Sequence, residues 1–241
     1  MRRSIVYAVI GFLIISTIFI VPLSATTLEL REEEMSASEK SDFWENIDFE
    51  VSNKPLSDED LVCFNVSFDG IIALGADSGG IRRSVALYDS NLNFINRFYF
   101  DSYGDYYLAW ENDSLVIFMV RSSIAVRVST DGDLIDIAKA KNCPENRNII
   151  NDEFKIKQKI VDNKTYKLTN GSRLLDAFSV SYSSLAVTDE GGAQTVIYGS
   201  EASQNDFVIK FVLIIVGIHI FVLVAVLIIL RSVKVYKKEH R

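Results

Sequence analysis

Residues 211–230, FVLIIVGIHIFVLVAVLIIL, run for twenty positions without a charge and with one polar side chain, His219. At about 1.5 Å of rise per residue such a helix covers roughly 30 Å, the thickness of a bilayer's hydrocarbon core. The expectation is a transmembrane helix over 207–230. Arg231, Lys234, Lys237, Lys238 and Arg241 follow at once, relieved only by Glu239, so 231–241 reads as a basic cytoplasmic tail. The other end has the same grammar: Arg2 and Arg3, in a cytoplasmic 1–3, precede residues 4–23, which are apolar apart from Tyr7, Ser16, Thr17 and Pro22. As an uncleaved anchor this run is a second transmembrane helix. As a signal peptide it ends at Leu23-Ser24-Ala25, although its apolar part exceeds the usual length of about 7 to 15 residues. On both readings the bulk of the chain is extracytoplasmic, and with the first run retained both termini are cytoplasmic.

Charge divides the chain sharply. Of 25 basic and 32 acidic residues, 17 and 31 fall between Leu23 and Asp206, a net of minus 14. Nucleic-acid binding rests on Lys and Arg neutralising phosphates, so DNA and RNA are excluded as expected partners. Glu29 to Asp60 holds 12 acidic residues against Arg31, Lys40 and Lys54. Segments this charged seldom bury a core, and 26–60 is expected to be an acidic juxtamembrane linker or exposed helix. Within it DFWENIDF, residues 42–49, sets Phe43, Trp44, Ile47 and Phe49 close together, able to pack on a folded domain or to lie at headgroup level.

From residue 61 to 200 the texture becomes that of an all-β domain: short aromatic and branched runs separated by turn signals about ten residues apart. LVCFNVSF ends at Asp69-Gly70, IIALGAD at Ser78-Gly79-Gly80, and SVALYD, FINRFYF, YYLAWEN, LVIFMVR and SIAVRVS follow. LVIFMV does not alternate and should be buried on both faces, whereas Ile124, Val126 and Val128 alternate with Ala125 and Arg127 and should show one wetter face. SFDGIIALG with SVALYDSNLNFINRF overlays AWENDSLVIFM with IAVRVSTDGDLIDIA at an offset of roughly 40 residues, the period of four-stranded propeller blades. A partial third copy runs through TYKLTNGSRLLDAF and SSLAVTDEGGAQTVIYG, residues 165–199.

In its YDSNLNF and STDGDLI turns this pattern resembles the repeats of β-propeller ectodomains on bacterial membrane-anchored proteins, over 61–140 and, less closely, 165–199. The resemblance implies blade-like units, but a closed propeller needs about four to eight blades and this length holds about three. The expected fold is therefore a mainly β extracytoplasmic domain, an antiparallel meander or two stacked sheets built of incomplete propeller-like blades, plus two transmembrane α-helices.

Chemistry is scarce. Both histidines, His219 and His240, lie outside the β domain, which removes the commonest general base and the Ser-His and Cys-His nucleophile pairs from it. Cys63 and Cys143 either close a disulfide over about 80 residues, worth a few kcal/mol in an oxidising compartment, or Cys63 is a small buried residue between Val62 and Phe64. Without histidines they make no four-ligand zinc site. Asp89 to Asn93 opens like a calcium loop, but an EF-hand's sixth and twelfth places hold Phe94 and Phe100, and a hairpin turn is the simpler reading. Sequons at Asn65, Asn112, Asn163 and Asn170 are glycan acceptors in a eukaryotic secretory pathway and chance in an Asn- and Ser-rich bacterial chain. No catalytic, metal or cofactor residue stands out.

His219 is the exception: an ionisable residue at mid-membrane needs a partner. A retained first helix, antiparallel to the second, brings Ser16, Thr17 or Gly11 to comparable depth as a helix-helix contact, and a helix of another membrane protein would serve as well. The alternative is a proton relay or sensor, which needs other intramembrane carboxylates and finds none in either apolar run. The expected function is binding, sensing or service as an accessory subunit of a membrane complex, with another membrane protein or an extracytoplasmic ligand as partner. The alternatives are an anchored hydrolase of cell-envelope material using two carboxylates, and a helix-mediated assembly factor.

Overall fold

The computed structural model describes residues 30–171, 176 and 179–200, together with nine helical positions between 209 and 224. Among the described residues fourteen antiparallel strands form three sheets. Each sheet is built on a run of four consecutive strands. Sheet I holds β3 (Asp60–Val66), β4 (Ile72–Asp77), β5 (Arg82–Tyr88) and β6 (Phe94–Asp101). Sheet II holds β7 (Tyr106–Glu111), β8 (Ser114–Met119), β9 (Ile124–Val128) and β10 (Leu134–Ala140). Sheet III holds β11 (Gln158–Val161), β12 (Lys164–Thr169), β13 (Ser184–Thr188) and β14 (Gln194–Gly199). Between sheets II and III lie a short helix, Pro144–Ile149, and a π-helical turn, Ile150–Phe154.

The same hairpin joins the third and fourth strands of every run. In each, a residue with a short polar side chain opens the turn: Asp89, Ser129 or Asp189. Its N–H donates to the carbonyl four residues on (2.9, 2.9 and 3.1 Å), and its carbonyl accepts from the N–H three residues on. The residue third after the opener is left-handed: Leu92 (φ 67), Gly132 (φ 94) and Gly192 (φ 79). This is the three-residue loop with a left-handed bulge residue. The first two hairpins sit 40 residues apart, at the offset read from the sequence. The third is delayed by the helical insertion at 144–154 and by the long β12–β13 connection. Each fourth strand also carries one unpaired isoleucine in a β-bulge: Ile95, Ile135 and Ile197.

Two seams hold the sheets together. Val85, Leu87, Phe98 and Phe100 of sheet I meet Leu108, Leu115, Ile117 and Val126 of sheet II. From the opposite face of sheet I, Phe64, Val66, Ile72 and Leu74 meet Tyr166, Leu168 and Leu185 of sheet III. Sheet I is therefore the central layer, and each of its large fully buried side chains contributes about 1.5–3 kcal/mol. Sheet II's far face, Ala109, Val116, Phe118, Ala125 and Ala140, is closed by Leu30 and Phe154. The LVIFMV run is buried on both sides as read, but the expected wetter face of β9 is covered: Ala125 lies under Phe154's cluster and Arg127 is largely enclosed by carboxylates.

The acidic stretch holds an exposed helix, one of the two forms expected of it, but it is not a free linker. Residues 32–52 fold onto the domain as β1 (Glu32–Glu33), helix α1 (Ala37–Asn46) and β2 (Glu50–Ser52). β1 adds a fifth strand to sheet II at β10, and β2 a fifth to sheet I at β6. Ser36 caps α1 through a capping box with Glu39, whose carboxyl these bonds hold below the usual carboxylate range. No residue of α1 is fully buried, yet Phe43 and Trp44, with Phe49 beyond, pack on the seam between sheets I and II. Charge density argued for solvent; paired carboxylates and four aromatic or branched residues on one strap outweigh it.

Among the described residues no helix is long and apolar enough to cross a membrane. The expected span 4–23, with Ser16 and Thr17, lies outside the described residues, as does most of 207–230. Its described positions are helical and exposed, among them Ile209, Val212, Leu213, Val216, Ile220, Phe221 and Val224.

Candidate functional site

At the end of sheet I where β4 turns into β5, a cleft of about 750 Å³ opens among Glu50, Asp58, Glu59, Asp60, Asp77, Arg82 and Tyr99. Asp77-Ser78-Gly79-Gly80 forms its rim, with Gly79 and Gly80 at left-handed φ of 95° and 62°. Glu50 arrives from β2, so the folded acidic segment supplies one wall.

Three of the five carboxylates are held by arginines. Arg82 donates through Nη2 to Glu50 (3.0 Å) and through Nη1 to Asp48 (2.8 Å), the Asp48 carbonyl (2.7 Å) and Asp101 (3.3 Å). Arg83 donates to Asp77 at 2.8 Å. Below them Arg97, 2% exposed, donates through Nη2 to Glu59 (2.6 Å), Ser84 (2.8 Å) and Ser78 (3.2 Å). The Tyr99 ring carries the Arg97 guanidinium at 4.5 Å and that of Arg82 at 5.4 Å. Partial burial pushes the Glu59 carboxyl up, but the Ser57 N–H and Arg97 outweigh it and hold it below the usual range. A general acid for glycoside hydrolysis needs the opposite shift. Ser181 donates to Asp60 at 3.3 Å, tying the cleft's edge to the stretch that leads into β13 of sheet III.

The disulfide left open by the sequence is not formed. Cys63 and Cys143 are both free thiols. Cys63 is enclosed beside Gly75 and Tyr106, and burial pushes its pKa far up. Cys143 is the partly exposed residue that precedes the Pro144–Ile149 helix. Asp89 behaves as a turn residue: its carboxylate accepts from the N–H groups of Asn91 and Asn93 and from the Asn93 side chain, each at 2.8 Å, and these bonds lower its pKa. Asn65 and Asn170, two of the four sequon asparagines, are buried and engaged in internal bonds, which bars a glycan from both in the folded domain. His219 is exposed on its helix, and its proposed neighbours Ser16 and Thr17 lie outside the described residues.

Sequence reasoning missed Arg82, Arg97 and Tyr99. The one available signal was Arg82-Arg83 opening a strand inside a strongly acidic chain, where unpaired arginines have many carboxylates to choose from. Arg97 and Tyr99 sit in FINRFYF, which reads simply as an aromatic strand.

Fold and cleft define an antiparallel β protein with an acidic, arginine-braced cleft. No protein-family model, no curated protein and no solved structure matches this chain.

Proposed function

We propose that this is a membrane-anchored protein whose extracytoplasmic β domain works by binding, as a sensor or an accessory subunit of a membrane complex. The observation that carries the reading is the cleft. It is open, and its five carboxylates outnumber Arg82, Arg83 and Arg97, an excess of negative charge that suits a basic group, while the pairing of Glu50, Glu59 and Asp77 with those arginines speaks against acid–base catalysis. A lysine- or arginine-bearing segment of another membrane or extracytoplasmic protein is the partner chemistry that fits. The exposed apolar helical positions from Ile209 to Val224 support the C-terminal anchor, and the threefold recurrence of one hairpin supports blade-like units that stop short of a ring.

Cross-linking in intact membranes, followed by capture through a C-terminal tag, tests this. A reproducible partner that is lost with Asp58→Lys supports the reading; a partner retained by that variant removes the cleft from it. His219→Leu separates the helix-mediated alternative, in which partner capture fails while the β domain stays folded. Asp58→Asn with Asp60→Asn separates the hydrolase alternative, which predicts loss of envelope hydrolysis.

A further inference from the structure

Residues 31–52 cross the β body as a strap. Its ends are strands of only two and three residues, on the outer edges of β10 and β6. Between them Trp44 stacks on Phe49 (4.6 Å) and Phe49 on Phe98 (5.5 Å), and the Asp101 N–H donates to the Ile47 carbonyl at 2.6 Å. The Arg31 backbone is bonded to the body as well: its N–H donates to the buried Asn146 side chain (2.8 Å), and its carbonyl accepts from Asn146 (2.8 Å) and from the Lys141 N–H (2.9 Å). The remaining hold is ionic. Arg82 grips Asp48 and Glu50, Arg127 grips Glu32, Lys40 reaches Asp136 (2.5 Å) and Arg31 reaches Glu145 (3.3 Å).

The ionic hold has an asymmetry. Breaking a buried ion pair is costly because one charge is left uncompensated. Here both arginines keep a carboxylate of the body when the strap leaves: Asp101 for Arg82 at 3.3 Å, and Glu111 for Arg127 at 2.5 Å. The strap's own Asp48 and Glu50 side chains are already 77% and 66% exposed, and the capping box of α1 lies wholly within the strap. Departure strands no charge; it gives up the Phe43, Trp44, Ile47 and Phe49 contacts, the short β1 and β2 pairings and the Arg31 backbone bonds, after which Asn146 keeps the Lys141 carbonyl.

We propose that residues 31–52 are a releasable strap latched by Arg82, and that a cation in the cleft works the latch. Glu50 and Arg82 belong to both structures: they line the cleft and they fasten β2. A basic group that enters competes with Arg82 for Glu50 and loosens the strap, and by linkage a loosened strap takes up the basic group more tightly. The trigger rests on the binding reading of the cleft; the latch does not.

Hydrogen exchange followed by mass spectrometry on the full chain in detergent micelles tests both parts. Losing the charge-assisted bonds of Arg82 in Arg82→Gln should speed exchange of residues 43–52 and 99–101 about tenfold or more, with β8 and β12 unchanged. Unchanged exchange in the strap overturns the latch. Penta-lysine is the probe for the trigger. Binding that is abolished by Asp58→Lys and that speeds exchange of 43–52 in the unsubstituted protein supports the coupling. Binding without that change overturns the coupling and spares the cleft. Absence of binding overturns the cleft reading and the trigger together, while Arg82→Gln still decides the latch.

Discussion

Gly75 has no room for a side chain: a Cβ there would collide with the Cys63 sulfur and sit 2.8 Å from the Tyr106 hydroxyl. That hydroxyl lies between the carbonyls of Ala76 (3.1 Å) and Ser84 (2.8 Å), so Tyr106 is not free to move aside. Gly75→Ala should cost about 3 kcal/mol, read as a lower urea midpoint at unchanged slope. The same enclosure makes Cys63 inert, because burial disfavours the thiolate that reacts. A maleimide should label the native domain at Cys143 alone and reach Cys63 only after unfolding; native labelling of both would contradict the enclosure. Lys159 shows what burial does to a base. Its pKa is lowered by desolvation, which Glu153 only partly offsets. Its folded pKa lies below the unfolded value of 10.5, so between those two values the unfolded chain binds the proton more tightly and stability rises with pH. Urea unfolding at several pH values should show that rise in the parent protein and a flatter profile in Lys159→Met.

The hairpins of the three runs share one geometry but not one residue at its critical position, and this gives a graded set of expectations. Leu92 holds a left-handed φ of 67° with a side chain, so Leu92→Gly should stabilise by about 1 kcal/mol. Gly192 has φ 79° and nothing near its absent Cβ, so Gly192→Ala should cost about the same amount, from backbone conformation alone. Gly132→Ala should cost more, because the added methyl would lie 2.5 Å from Val51 Cγ2 and 3.0 Å from Phe98 Cε1 in addition to the strain of φ 94°. Thermal unfolding of the three variants checks the order, and Gly192→Ala costing more than Gly132→Ala would break it. These turns were legible in the sequence because Asp-Gly, Gly-Gly and Asp-Ser-Asn act locally, within four residues. The strap was not: its hold on the domain comes from Arg82, Arg127 and Phe98, which are far away in sequence, while locally it shows only charge. The cleft is hidden for the same reason, since its residues come from β2, the stretch before β3, β3 itself, β4, β5 and β6.

How three sheets become one body turns on the first strands β3, β7 and β11, and on a polar residue at their junction. Asn65 of β3 donates to the Leu108 carbonyl of β7 (2.8 Å) and to the Glu153 carbonyl of the π-helical turn (3.1 Å), and accepts from Lys159 of β11 (2.7 Å). One fully buried amide thus touches all three runs. Nothing local in LVCFNVSF announces this; the sequence marks Asn65 only as a sequon and as the polar member of an apolar strand. Asn65→Leu keeps the volume roughly and removes the amide, taking from the largely buried Lys159 ammonium its acceptor and from two carbonyls a donor, for about 3 kcal/mol. The loss falls mostly on the junction with sheet III. Both tryptophans, Trp44 and Trp110, pack on the seam between sheets I and II, so their fluorescence reports that seam, whereas far-ultraviolet circular dichroism reports all three sheets. In the parent protein the two signals should unfold together in urea, as a cooperative body requires. In Asn65→Leu the circular dichroism should fall first, as sheet III lets go while the tryptophan seam persists. Two coincident transitions in the variant would mean that Leu168, Leu185 and their neighbours on sheet I bind sheet III without help from the polar junction, and that Asn65 sets register rather than cohesion.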